Sequence, residues 1–190
     1  AFMYDPLDLD KTSPILFFTR WITHYCAPVF MFLAGTSAFL VGQRKTKKEL
    51  SAFLFKRGVW LIFLGMIVVN FGWHFSITFP WLLFIVIWAL GVSMIALALL
   101  IHLPQKLILA IGLVIIAGHN LLDGVHVQGN NLKAFVWSVL HDFGIFKFKG
   151  ENLFVAYPVI PWIGIMALGY CFGSFYIKGY DAAKRKKNLL

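Results

Sequence analysis

The sequence predicts an all-α fold, a polytopic transmembrane helical bundle with about five spans. Three observations predict it. Of the 190 residues, 60% are hydrophobic and only 13% charged, and the mean hydropathy of +0.79 lies far above the range of a soluble domain. Apolar runs recur at the length a bilayer demands, since a hydrocarbon core of ~30 Å takes ~20 helical residues to cross. The basic residues gather beside those runs, in alternate loops.

The first span is Trp21 to Val41, preceded by Arg20 and carrying His24 near its outer end. The second, Gly58 to Phe75, and the third, Phe79 to Leu103, follow with Gly and Pro inside or beside them, which membrane helices tolerate. The fourth, Lys106 to Leu122, is short for a full crossing, and the fifth runs from Leu153 to Ile177. No repeat and no Ser- or Pro-rich linker divides the chain, so residues 1–190 read as a single integral membrane domain. The absence of an initiator Met and the final basic run predict truncation at both ends, making this a fragment of a larger bundle.

Charge sets the orientation. The loop after the first span holds Arg44, Lys45, Lys47, Lys48, Lys56 and Arg57, the next loop holds no Lys or Arg, and the third turn holds Lys106. The segment Asp123 to Asn152 mixes Lys133, Lys147 and Lys149 with acids, and the tail is basic again. With five crossings, twelve basic residues fall on the cytoplasmic side and five outside. The net charge of +9 therefore reads as juxtamembrane rather than nucleic-acid binding. Cys26 and Cys171 differ in expected depth by about 14 Å at 1.5 Å per residue, too far for a disulfide, whose Cα atoms lie within about 7 Å. They read as free packing thiols.

The polar residues converge on the outer face. Arg20 and His24 are four apart and share a helical face if the helix begins near Thr19. Asn70, Trp73 and His74 repeat the spacing at the end of the second span, and His119, Asn120 and Asp123 repeat it at the end of the fourth. His126 follows, and His141 and Asp142 lie in the outer segment; taken singly, His74, His102, His126 and His141 read as interfacial residues. Asn120 and Asp123 also suit the end of a helix before Gly124. Together they suggest an extracytoplasmic polar pocket, because ionisable groups in a membrane are costly unless they act. No nucleotide loop, zinc-ligand spacing or nucleophile elbow is present, and no metal is expected.

Three strings, FFTRWITHYCAPVFMFLAGTSAFL, ELSAFLFKRGVWLIFLGMIVVNFGW and YPVIPWIGIMALGYCFGSFY, resemble the bacterial relatives of the heparan-α-glucosaminide N-acetyltransferase catalytic domain. The resemblance covers most of the chain, residues 105 to 150 being the least distinctive. It implies transfer of an acetyl group from cytosolic acetyl-CoA, across the bilayer, to an amine or hydroxyl of a sugar outside. In the family pattern an earlier helix with an Asp-His pair precedes the segment that starts here, and the histidine usually held to be catalytic lies in that upstream part. The positions in shared motifs are Arg20, His24, Pro28, Gly35, Arg57, Asn70, Gly91 and Pro161; His24 stands where the animal enzymes carry an acid.

The residues suit that reaction. Acyl transfer from a thioester needs a base, donors for the tetrahedral oxyanion, and exclusion of water. His24 is the expected base or positioning residue, with Arg20 and Asn70 as donors. Arg57, Arg44, Lys45 and Lys48 are expected to hold the CoA phosphates, and Trp73, His74, His119 and Asp123 to bind the acceptor. Acetyl-CoA is the acyl donor. The expected partners are the lipid bilayer and a sugar or glycan acceptor, with room for a homo-oligomer, and the expected location is a bacterial inner membrane. Two alternatives stay open: an acyltransferase acting on a surface-polysaccharide hydroxyl, as acyltransferase-3-like proteins do, and a non-enzymatic carrier or structural subunit.

Overall fold

The computed structural model of the chain describes residues 13–75, 81–148 and 150–177, apart from the side chains of residues 74 and 148. Helix α1 (Pro14–His24) begins where Ser13 accepts a hydrogen bond from the Leu16 amide and Pro14 supplies a helical φ. A single turn at Tyr25 joins it to α2 (Cys26–Gly42), and the two form one apolar unit of 29 residues. At 1.5 Å per residue that is about 44 Å, longer than the ~30 Å hydrocarbon layer. Arg20, about 33 Å along the axis from Gly42, thus lies at the far boundary of that layer.

Helix α3 (Lys47–Phe63) opens on a capping box, in which Thr46 accepts from the Glu49 amide while the Glu49 carboxylate accepts from the Thr46 amide. The second span therefore starts at Lys47 rather than Gly58. Lys56 and Arg57 stand inside the helix, not in the loop that the charge pattern assigned to them. A π-helical stretch, Leu64–Val69, passes into the short α4 (Asn70–His74), which ends at Phe75 with a left-handed φ of 48°.

The third expected span is divided. Trp81–Phe84 form strand β1, and of the described residues in this stretch only Val86–Leu100 (α5) are helical. That helix has 15 residues, too few for a full crossing alone, whereas the fourth expected span, found at Gln105–Leu122, has the necessary 18. Its regular part is α6 (Gln105–Gly118), followed by a 3-10 turn. The outer segment is not a plain loop. It holds α7 (Leu132–Leu140), capped by the Asn131 side chain, then β2 (Gly144–Phe148) and β3 (Glu151–Val155). The last helix, α8 (Val159–Phe172), starts six residues later than the expected Leu153, because that stretch pairs as a strand. Among the described residues, four helical units are long and apolar enough to span, and α5 makes the fifth pass of the bundle.

The small sheet has the order β1-β3-β2, with β1 parallel to β3 (Phe84 beside Val155) and β2 antiparallel to it (Gly144 beside Val155). Gly150, at φ 92°, lies between β2 and β3 in a conformation that disfavours any side chain. The sheet gathers the starts of α5 and α8 and the end of α3 at one end of the bundle, the sheet end. The opposite end carries Arg44, Lys45, Lys47, Lys48 and Lys106 and is here the basic end. Successive passes α2, α3, α5, α6 and α8 run in alternate directions between the two, as the charge pattern requires.

The core centres on α5, whose Ala89, Leu90, Met94, Leu97 and Ala98 pack against Leu50 and Leu54 of α3 and Met166 of α8. A helix apolar all round belongs inside a bundle. Between apolar helices in lipid, close approach and interhelical hydrogen bonds replace the hydrophobic effect. Gly58 and Gly91 meet where α3 crosses α5, and Gly35 and Gly169 allow α2 to lie against α8. Thr36 Oγ1 donates to the Gly169 carbonyl at 3.0 Å, and Ser51 Oγ to the Ala98 carbonyl at 2.8 Å.

Candidate functional site

The side of the bundle between α2 and α5 is furrowed. Near the basic end, Ala34, Ser37 and Val41 of α2, Phe53 and Arg57 of α3, and Met94 of α5 line a hollow of about 370 Å³. Near the sheet end, Thr23, Cys26 and Ala27 face Val86, Ile87 and Tyr157 across a second hollow of about 410 Å³. Phe30 and Leu90 line both, so the two are consecutive stretches of one furrow. From Val41 to Cys26 it follows fifteen residues of α2, or about 22 Å. The walls are mainly apolar, and Phe30 and Leu33 are exposed along the rim.

Cations collect at the basic end of this furrow. A side chain on a helix leans toward the N-terminus, so Arg57 points back over Phe53, one turn earlier, with its guanidinium carbon 6.0 Å from the ring centroid. Lys45 reaches the same ring from the preceding turn, its Nζ at 5.7 Å. Two of the four residues expected to bind phosphate thus converge on a furrow wall. Arg44 and Lys48 are exposed at the same end.

At the sheet end the expected site residues divide. Helix α1 begins well before Thr19, so Arg20 and His24 do share a face, and both are exposed. His24 Nδ1 lies 2.9 Å from the Arg20 carbonyl oxygen, and Thr23, which lines the furrow, donates to that same oxygen at 2.8 Å. Asn70 is different. Its side chain is fully buried at 0% exposure; Nδ2 donates to the carbonyls of Gly65 and Leu83 at 2.9 and 3.3 Å, and Oδ1 accepts from the Leu83 amide at 2.7 Å. This amide fastens the π-helical stretch to β1, and these contacts occupy the donor capacity expected to serve a reacting group.

The residues expected to bind the acceptor are also dispersed. Trp73 is exposed, the side chain of His74 lies outside the described residues, and His119 turns its Nδ1 to the Ile116 carbonyl at 2.9 Å. Asp123 instead enters a crossed arrangement that the sequence did not show. Its Oδ1 is 3.1 Å from Nε2 of His141, while Oδ2 of Asp142 is 3.1 Å from Nδ1 of His126. Trp137 adds a hydrogen bond to the Val125 carbonyl at 2.8 Å. The side chain of His141 is only 6% exposed. The hydrogen bond from His126 holds the Asp142 carboxyl below its ordinary value of 3.8, against the opposing effect of burial; the Phe143 amide and the charges of both histidines act in the same downward sense. These pairs join residues 16 and 18 apart, a separation that no helical or strand spacing announces.

A further hollow of about 410 Å³ lies between α7 and β2. Of its two asparagines, Asn130 is tied both ways to the backbone of Lys147 and Asn131 caps α7. No group of three or more metal-ligating side chains occurs among the described residues.

Compared with known proteins, residues 2–189 match the family described as heparan-alpha-glucosaminide N-acetyltransferase, catalytic. No curated protein and no solved structure matches the chain. The family match and the apolar spans agree on an integral membrane protein with acetyltransferase-like function.

Proposed function

The chain belongs to the heparan-alpha-glucosaminide N-acetyltransferase catalytic family, and from that premise we propose that it moves an acetyl group from acetyl-CoA at the basic end to a sugar amine or hydroxyl at the sheet end. The observation that carries this reading is the furrow. It is cationic at one end, apolar for about 22 Å along α2, and polar again at Thr23 and Tyr157. A CoA thioester has the matching order: phosphates, a long flexible arm, and the acyl group at its tip.

In this reading Arg57 and Lys45 hold phosphate, with Arg44 and Lys48 adding to the field at the mouth, and Phe53 offers a face for the adenine ring. The arm lies along Phe30 and Leu90. The thioester then reaches the mouth beside Thr23, within a turn of Arg20 and His24, where the acceptor enters from the outer side. His24 takes the proton released by the attacking amine or hydroxyl, and Arg20 orients a polar group of the sugar. Asn70 acts through position, by fixing β1 and with it the start of α5. The excess of basic residues at one end supports reading that end as cytosolic, in a bacterial inner membrane.

Acetyl-CoA binding to the purified protein in nanodiscs tests this. Arg57→Lys keeps the charge but loses the bidentate fork, so affinity should fall about tenfold, the equivalent of ~1.4 kcal/mol. Unchanged affinity would leave Arg57 only the role of anchoring α3 at the headgroups. Absence of saturable binding by the wild type, with lipid chains filling the furrow, would favour the carrier or structural reading.

A further inference from the structure

We propose that the Tyr157 hydroxyl is the donor that stabilises the oxyanion of the transferring acetyl group at the outer mouth of the furrow. The inference rests on the acyl-transfer reading above and assigns one of its roles to a residue. Three polar side chains line this mouth, Thr23, Cys26 and Tyr157. The one hydroxyl proton of Thr23 is committed to the Arg20 carbonyl at 2.8 Å, and a thiol is a weak donor. Tyr157 has no hydrogen-bond partner for its hydroxyl among the described residues.

Its ring is held from both sides. On one side the Ala156 amide donates to the Phe84 carbonyl at 3.2 Å, extending the β1–β3 pairing by one residue. On the other, Pro158 is the N-cap of α8 and restricts the residue before it to an extended backbone. The ring packs on Trp162, with centroids 5.4 Å apart and planes at 34°. Beside it the Trp162 indole N–H is buried with no partner among the described residues, a second donor at this place. A fixed, unpaired donor in a site of low polarity is what an oxyanion needs, because no reorganisation is required when the charge develops.

In the step itself, the acceptor lone pair attacks the thioester carbon, and the carbonyl π pair moves onto oxygen, where the Tyr157 O–H hydrogen-bonds it without transferring its proton. Collapse breaks the C–S bond and expels the CoA thiolate. The proton released by the acceptor passes to His24 and on to water, and the thiolate is protonated from solvent on departure. The net products are acetylated sugar and CoA thiol.

Tyr157→Phe removes only the hydroxyl and keeps the packing on Trp162. In nanodiscs, with acetyl-CoA and glucosamine, kcat should fall on the order of a hundredfold, the loss typical of one oxyanion donor, with KM for acetyl-CoA and the melting temperature unchanged. A kcat equal to that of wild type would overturn the assignment, as would a fall matched by loss of folded protein. A wild type that binds acetyl-CoA but transfers no acetyl group would overturn the reading beneath it instead.

Discussion

Replacing Gly35 by alanine tests how α2 is seated. A Cβ there would stand 2.1 Å from the Met166 carbonyl oxygen and 2.8 Å from the Tyr170 amide, where ordinary contact begins at 3.4 Å. Both obstacles are backbone of α8, so no rotamer relieves them. The two helices must part by about 1.3 Å, the difference between 3.4 and 2.1 Å. The Thr36 to Gly169 hydrogen bond, 3.0 Å long, would then open to about 4.3 Å and be lost. Overpacking costs about 1–3 kcal/mol, and a hydrogen bond between membrane helices contributes roughly 0.6–1.7 kcal/mol. Alanine's better helix propensity returns about 1 kcal/mol. The net loss should be roughly 1–3 kcal/mol. It is read as a lower SDS midpoint for unfolding in mixed micelles, with Gly118→Ala as control, since nothing lies within 4 Å of a Cβ at that position. A Gly35→Ala variant as stable as the control would refute the close crossing.

Two further outcomes follow from the sheet end. Asn70→Ala removes the side-chain partner of both the Leu83 amide and the Leu83 carbonyl, at about 1–3 kcal/mol for each group left unsatisfied, so the stability should fall by several kcal/mol. An inactive Asn70→Ala protein of wild-type stability would instead make Asn70 catalytic. The Asp142 carboxyl has a lowered pKa in the folded protein, so the stability it contributes is complete above its ordinary value of 3.8 and is lost as pH falls through the lower folded value. Hydrogen-exchange protection over residues 123–127 and 137–143, corrected for the pH dependence of the intrinsic rate, should therefore hold down to about pH 4 and fall only below it. In His126→Ala the Asp142 titration, followed by carboxyl chemical shift, should move up toward the ordinary value, and an unmoved titration would deny the pairing.

How much of this was legible in the chain depended on whether the cause was local. The fourth span is legible to within a residue at each end because the apolar run that starts at Leu107 is preceded by Pro104, Gln105 and Lys106 and closes before a turn. The start of α3 was also readable, as a Thr-x-x-Glu capping signature at Thr46 to Glu49, but counting Lys56 and Arg57 as loop charges hid it. Trp81 to Phe84 failed for a deeper reason: a short apolar run suits a buried strand as well as a helix, and what decides is a partner 71 residues away, Asn152 opposite Trp81. Arg57 was picked out by charge and does line the furrow, whereas Tyr157 carried no local signal beyond the Tyr-Pro pair. Asn70 stands out in the sequence as a polar residue in an apolar span, but its structural role depends on the Leu83 backbone 13 residues on. The crossed His126–Asp142 and His141–Asp123 pairs depend in the same way on how α7 folds back.

The central claim is that one protein takes acetyl groups from acetyl-CoA on its basic side and delivers them to a sugar on the other. Proteoliposomes in which the protein has a uniform orientation, basic end outward, would be loaded with glucosamine and given radiolabelled acetyl-CoA outside. Labelled N-acetylglucosamine should accumulate in the lumen, in proportion to protein and abolished when acetyl-CoA is confined to the lumen with the sugar. Label that stays outside as acetyl-CoA, while saturable acetyl-CoA binding is intact, would contradict transfer across the membrane.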